Sequence, residues 1–139
     1  MVGVLAGGPF AGAVTYDGHR KAGAAIAPVG PGNTERIITL FENDCGTALL
    51  GTPSYAEYLL EQVRERGIDP ASLGIDRMLV GGEPGASEVR ERVEDAFECQ
   101  LTESLGNSDV SISIWGECEH RQGMHFTGQG AVWPELIDP

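Results

Sequence analysis

Short apolar runs alternating with helical patterns constrain this chain more than any other feature. The runs are Ala24–Val29, Thr47–Leu50, Arg77–Val80 and the weaker Glu98–Leu101. Between them the apolar positions change to helical spacing. Strand and helix signals interleaved in this way predict βαβ units and a parallel sheet. Right-handed crossovers then lead to a doubly wound layer. The expected fold is α/β, with a mainly parallel sheet of about four strands, flanking helices and a short C-terminal β extension.

The helices can be read individually. Thr34–Asp44 places Ile37, Ile38, Leu40 and Phe41 on one side, with Asn33 as N-cap and Glu35 in the first turn. In the next segment Ser54 and Glu57 have the spacing of a capping box, and Gly67 is a natural C′ residue. That helix should turn Tyr55, Leu59 and Val63 inward. A third helix, from about Ser87 to Phe97, has Val89, Val93, Ala96 and Phe97 on its apolar face, and the pairs Glu88–Arg92 and Arg90–Glu94 are spaced i,i+4. After Leu105 the texture changes. Val110–Trp115 alternates apolar and polar residues as a half-buried strand does, and Met124–Thr127 and Ala131–Ile137 are further strand candidates.

Charge excludes several kinds of partner. Nine Lys plus Arg stand against twenty-one Asp plus Glu, a net charge of −12, and the only lysine is Lys21. A nucleic-acid partner needs several phosphates neutralised by cations, and an anionic membrane surface needs the same, so neither is expected. The 139 residues are about one domain's worth. Three scattered cysteines, Cys45, Cys99 and Cys118, do not make a disulfide framework and read as reduced thiols. The apolar opening Met1–Val14 has its basic residues after it rather than before it, the wrong order for a secretory signal. A cytoplasmic location follows as an expectation. Tyr16, Tyr55, Tyr58 and the two tryptophans read as core or rim.

Four places hold residues with chemical potential. Val80-Gly81-Gly82-Glu83-Pro84 joins a strand to a helix, where ligands of open α/β sheets bind. Its glycines would let a flat ring approach the backbone, or would only supply positive φ in a tight turn. Leu105-Gly106-Asn107-Ser108-Asp109 is a polar loop before a strand; Asp109 suits Mg²⁺, and Ser108 suits a phosphate or hydroxyl. Taken alone, such a loop is more often a turn. Val29–Arg36 could offer N–H groups to an anion but lacks the Walker A pattern. Cys118, His120 and His125 could bind Zn²⁺, with Glu119 or a distant cysteine as fourth ligand, although the paired doublets of a strong zinc signal are missing.

In order along the chain, several motifs resemble the phenylacetate–CoA ligase branch of the adenylate-forming enzymes. They are Pro28-Val-Gly-Pro-Gly-Asn-Thr-Glu-Arg36, Thr52-Pro-Ser-Tyr-Ala56, Gly81-Gly-Glu-Pro84, Leu105-Gly-Asn-Ser-Asp109, Glu117-Cys118, Gly123-Met-His125 and the closing Pro134–Pro139. The resemblance runs from about Gly3 to Pro139. It implies activation of a small carboxylic acid, aryl acids included, by ATP with Mg²⁺, then transfer to the thiol of coenzyme A. It places Gly81, Gly82, Glu83 and Pro84 on the adenine side of a nucleotide pocket. Leu105, Gly106 and Asn107 match the start of the family's Tyr-Gly-x-Ser-Glu motif, with Ser108 and Asp109 at its catalytic end. Tyr55 and the opening around Leu5 would lie near the acyl group.

This sequence departs from the family at Leu105, where an aromatic stacking surface is lost, and at Asp109, one methylene shorter than glutamate. It also contains no phosphate loop ending in Gly-Lys, no ribose-holding Asp after these motifs and no lysine-bearing C-terminal domain. Phosphoryl and adenylyl transfer depend on cationic clamps. The resemblance therefore implies a central subdomain that is not competent alone. Three roles are consistent with it: a ligase part needing the missing pieces, a stand-alone small-molecule-binding or ATP-independent derivative, or a non-catalytic partner of a full-length ligase. Self-association, or docking onto a partner chain supplying the missing parts, is expected because a subdomain of this kind exposes apolar surface.

Overall fold

A computed structural model describes residues 2–5, 16–107, 109, 112–135 and 137. In chain order its strands are β1 (Val2–Leu5), β2 (Ala25–Pro28), β3 (Ala48–Gly51), β4 (Arg77–Gly81), β5 (Gln100–Asn107), β6 (Ile112–Glu117) and β7 (Met124–Phe126). The helices are α1 (16–21), α2 (Thr34–Glu42), α3 (Pro53–Glu65) and α4 (Ala86–Phe97), with a 3₁₀ turn at Pro70–Leu73. The strands form one sheet in the order β2-β1-β3-β4-β5-β6-β7. The first five are parallel, and β6 and β7 add an antiparallel edge.

The architecture is the expected α/β sheet with a β extension; among the described residues its parallel part has five strands rather than about four. Each predicted run is a strand. The fifth parallel strand, β1, lies inside the apolar opening and inserts between β2 and β3, where Val4 is fully buried. Connections β2→β3, β3→β4 and β4→β5 all step the same way along the sheet, so right-handed crossovers put α2, α3 and α4 on one face. The β1→β2 connection steps the other way along the sheet.

The core lies beneath α2–α4. Ile37, Ile38 and Phe41 of α2, Leu59 and Val63 of α3, and Val93 and Phe97 of α4 pack on Val4, Leu49, Met78, Val80 and Leu101 of the strands. Met78 and Val80 share a face because successive strand side chains alternate. Burying each large side chain contributes about 1.5–3 kcal/mol, and the buried set among the described residues is wholly apolar.

Several local expectations are corrected. Asn33 occupies the N-cap position of α2, but its amide donates weakly to the carbonyls of Val29 and Pro31 instead of capping. The N-cap of α3 is Thr52, whose hydroxyl accepts from the Tyr55 N–H at 3.2 Å. Pro53 takes the first helical position, which moves the start two residues ahead of the Ser54–Glu57 box, and Glu57 pairs with Arg92 of α4. The predicted pairs along α4 are replaced by longer-range partners. Arg90 binds Glu117 of β6 at 2.8 Å, and Glu94 binds Arg121 at 2.8 Å and accepts from the Leu101 N–H at 2.6 Å. Where a strand end or hairpin turn lies within reach, it competes with the next turn of the helix.

Residues 131–135 and 137 are not a strand. The N–H groups of Ala131 and Val132 both bond back to the Gly128 carbonyl, closing a turn, and Pro134 has no donor for a ladder. Trp133 there is 93% exposed, so it belongs to neither core nor rim, whereas Trp115 packs at a tilt against Phe126 with ring centroids 5.0 Å apart. Of the predicted Val110–Trp115 strand, β6 includes Ile112–Trp115 and runs on to Glu117; Val110 and Ser111 lie outside the described residues. Among the described residues no helix is long and apolar enough to cross a membrane.

Candidate functional site

Because five neighbouring strands are parallel, their carboxyl ends share one edge of the sheet, and the helices that follow them begin there. The winding direction reverses at β1, so a crevice at its end is where such a sheet binds ligands. Thr34 opens the helix after β2, and Tyr55 lies in the first turn of the helix after β3; these are the two strands that flank β1. The Tyr55 hydroxyl donates to Thr34 Oγ1 at 3.2 Å, joining the two helices across the reversal. Burial pushes the Tyr55 phenol up, against the downward pull of the Thr34 bond, and Tyr58 adds a smaller upward push. Tyr55 thus stays a neutral donor on a half-buried wall. Leu5 is the last residue of β1 and pairs with Pro28 and Leu50; its side chain lies outside the described residues.

The Gly81–Pro84 loop follows β4. Gly81 pairs with Ser104 of β5, and a Cβ on Gly81 would fall 2.3 Å from the Ser104 carbonyl oxygen, so only glycine fits between these strands. Gly82 has φ +85°, a conformation L side chains rarely adopt. Both glycines therefore have structural reasons to be where they are. Glu83 reaches from this loop to the start of α3, where its carboxylate accepts the Ser54 N–H at 2.7 Å. This N–H is one of the helix's unpaired first-turn donors, and the carboxylate sits at the positive end of the helix dipole.

The hydroxyl and then the N–H of Ser54, with help from Thr52, hold Glu83 below the usual carboxylate range. A carboxylate with a depressed pKa contributes stability that is complete above its unfolded value and lost as pH falls through the folded one. The wild-type chain should therefore lose its stability advantage over Glu83→Gln as pH falls from about 5 toward 3. Paired urea titrations across that range check this; a constant difference between the two chains would remove the charge from the account.

Leu105, Gly106 and Asn107 are strand, not loop. They form the end of β5, paired with β6, with a bulge between Leu105 and Gly106. The alternation of β6 continues across the hairpin to this segment, whose polar and glycine composition concealed it. Leu105 is half exposed (52%) at the strand end. The Asp109 N–H bonds to the Asn107 side-chain oxygen at 2.8 Å, an Asx turn that leaves Asp109 exposed. Ser108 lies outside the described residues.

The three candidate zinc ligands do not converge. Cys118 Sγ and His125 Nε2 are 3.2 Å apart, but His120 is exposed and faces Glu119 at 3.9 Å. Among the described residues no group of three His, Cys, Asp or Glu side chains is placed to hold a metal ion. Sequence reasoning placed Thr34, Thr52 and Ser54 inside its motifs but did not foresee their bonds at this edge. The signal was there for Thr52: a proline prefers the first helical position, so the residue before it is the cap.

An open sheet with this order, closed by an antiparallel hairpin and carrying these helix starts along one edge, is the fold of adenylate-forming CoA ligases. It superposes on 2-hydroxyisobutyryl-CoA ligase solved in the postadenylation state with its acyl-AMP, with TM-score 0.80 and 26% identity over 88% of this chain and 28% of that one. No protein-family model matches the chain. The phenylacetate–coenzyme A ligase of Thermus thermophilus is 33% identical over 135 residues, which make up 95% of this chain and 30% of that protein. The Pseudomonas putida ligase of the same name is 26% identical over 134 residues, with the same coverage. Along 95% of its length the chain is similar to the phenylacetate–CoA ligase branch of the adenylate-forming enzymes, and it spans about a third of the length of the curated relatives it matches.

Proposed function

We propose that this chain forms the nucleotide- and acid-facing middle of an enzyme that activates a carboxylic acid with ATP and passes the acyl group to coenzyme A. On this reading the chain acts only with parts that supply a phosphate loop and a catalytic lysine. The observation that carries the reading is the shared sheet edge. The Tyr55–Thr34 bond, the Glu83-held loop and the end of β5 all lie at the carboxyl ends of strands.

Each residue has a limited task. The main chain of Gly81 and Gly82, which carry no Cβ, leads the Gly81–Pro84 loop along the adenine side, while the Glu83 side chain fixes the loop to α3 instead of touching the nucleotide. Leu105, Gly106 and Asn107 continue that wall, with an aliphatic side chain where an aromatic one would stack. Asp109 is exposed on a turn fixed by Asn107 and is the acid available for Mg²⁺, with Ser108 beside it in sequence. Tyr55 and Leu5 stand on the acyl side. When bound, ATP supplies the activated phosphorus and pyrophosphate supplies the leaving group. The one lysine, Lys21 on α1, is no replacement for the cationic clamps such a transfer requires.

Pyrophosphate exchange into ATP, with phenylacetate as acid, tests this directly. The isolated chain should give no exchange above blank yet bind AMP measurably by calorimetry. Adding a polypeptide with the remaining parts of a related ligase should restore exchange, and Asp109→Ala should abolish that restoration. Robust exchange by the chain alone would overturn its dependence on other parts. Absence of both AMP binding and restored exchange would overturn the nucleotide reading itself.

A further inference from the structure

The first turn of α3 is bonded to both sides of the crevice. Among its unpaired donors, Pro53 has no N–H, and the Tyr55 N–H goes to Thr52 Oγ1 at 3.2 Å. That leaves the Ser54 N–H, which reaches Glu83 Oε1 at 2.7 Å, 29 residues away in the chain. Toward the acyl side the phenol of the very next residue, Tyr55, donates to Thr34 Oγ1 at 3.2 Å. Two adjacent residues of α3 therefore hold the nucleotide-side loop and the acid-side wall.

The loop that carries Glu83 has little else to hold it. From Gly81 to Gly85 the one polar side chain is that of Glu83. Gly82 and Gly85 lie on either side of Glu83-Pro84 with φ +85° and +111°. A Cβ on Gly85 would meet nothing within 4 Å, so this part of the loop is not fixed by packing. Gly81 is paired with β5 at one end, and Ala86 is buried at the other. Between these fixed ends the loop has two arrangements. It is docked on α3 while the Glu83–Ser54 bond is made, and free to turn about its two glycines when that bond is broken.

We propose that Glu83 is a positioning residue that makes nucleotide and acid bind cooperatively, by docking the Gly81–Pro84 loop on the first turn of α3. This rests on the nucleotide- and acid-facing reading of the crevice. A nucleotide lying along the loop favours the docked arrangement, because the main chain it touches is then held in place. An acid beside Tyr55 favours the same arrangement, because Glu83 completes the first turn that carries Tyr55. A ligand shifts such an equilibrium only through its difference in affinity for the two arrangements. The first ligand brings the loop to its docked form, and the second meets it already there. The coupling is reciprocal, so each ligand tightens the other by the same factor.

Calorimetric titration of AMP into the chain, with and without saturating phenylacetamide, tests the proposal. Phenylacetamide is the uncharged isostere of phenylacetate, so repulsion from the AMP phosphate does not mask the coupling. It should tighten AMP binding to the wild-type chain about tenfold, within the range usual for coupled sites. In Glu83→Ala the factor should fall to about one. Glu83→Gln, whose amide oxygen still accepts the Ser54 N–H, should keep part of it. A variant that merely loosened the fold would weaken AMP equally in both titrations, and the unchanged factor would overturn the proposal. AMP binding to the wild type that phenylacetamide does not alter would overturn the coupling and leave the nucleotide reading standing. No AMP binding by the wild-type chain would overturn the coupling too, and restored pyrophosphate exchange then decides whether the nucleotide reading falls with it.

Discussion

Gly81→Ala is expected to lower the free energy of unfolding by about 3 kcal/mol, at the upper end of ordinary overpacking costs. The added methyl would sit 2.3 Å from the Ser104 carbonyl oxygen. That oxygen is backbone in the adjacent strand, so relief requires the carboxyl ends of β4 and β5 to move apart. For a chain of this size such a loss lowers Tm by roughly 10 °C. Gly82→Ala is the informative comparison. Its nearest neighbour would be Thr52 Cγ2 at 3.9 Å, so only the left-handed φ of +85° opposes it, and the expected cost is about 1 kcal/mol. Thermal melts of both variants separate a steric from a conformational role. Equal costs would mean that the tight contact between β4 and β5 relaxes freely.

The second large effect is expected at Glu117. Its side chain is only 10% exposed, and one oxygen accepts from both the Arg90 guanidinium and the Glu103 N–H, each at 2.8 Å. Arg90 itself is 17% exposed. Glu117→Ala would leave a poorly solvated cation without its partner and a strand N–H unbonded, for a loss of about 3 kcal/mol. Glu117→Gln keeps an acceptor and should lose less. Restoring much of the stability by adding Arg90→Met to Glu117→Ala would show that the stranded charge is the cost. Urea unfolding of the wild type, Glu117→Ala, Arg90→Met and the double variant decides it; additive losses would place the effect in the β5–β6 ladder instead.

The parallel half of the sheet was legible because its strands are short apolar runs with helical periodicity between them, and the runs at Ala24–Val29 and Arg77–Val80 needed nothing more. β1 was harder. Residues 2–5 sit in an apolar, glycine-rich opening that has no periodicity of its own, and only their pairing with β2 and β3, both distant in sequence, makes a strand of them. Side-chain partners were the least legible layer. Arg90 and Glu94 have good helical spacing for one another, yet each finds a partner near β6 because α4 packs along the β5–β6 hairpin. At the candidate site, the order of motifs along the chain was visible before any coordinates. That Glu83 binds the start of α3, and that Tyr55 and Thr34 meet, depends on which strands become neighbours. Local spacing does not contain that information.

The insertion of β1 between β2 and β3 also bears on the order in which the molecule assembles. From β3 onward every strand pairs with the next strand in the chain, so this half can grow by short loop closures. β1 instead closes its contact with β3 across the span from Gly3 to Ala48, and among the described residues β2 has no sheet neighbour except β1. The β1–β2 half should therefore form late and open first, and its amides should exchange with solvent sooner than those of β4 and β5. The reversal point, where the proposed function seats the acid, is then also the seam between the early and late parts of the fold. A ligand seated there would hold both sides of that seam together and slow its opening.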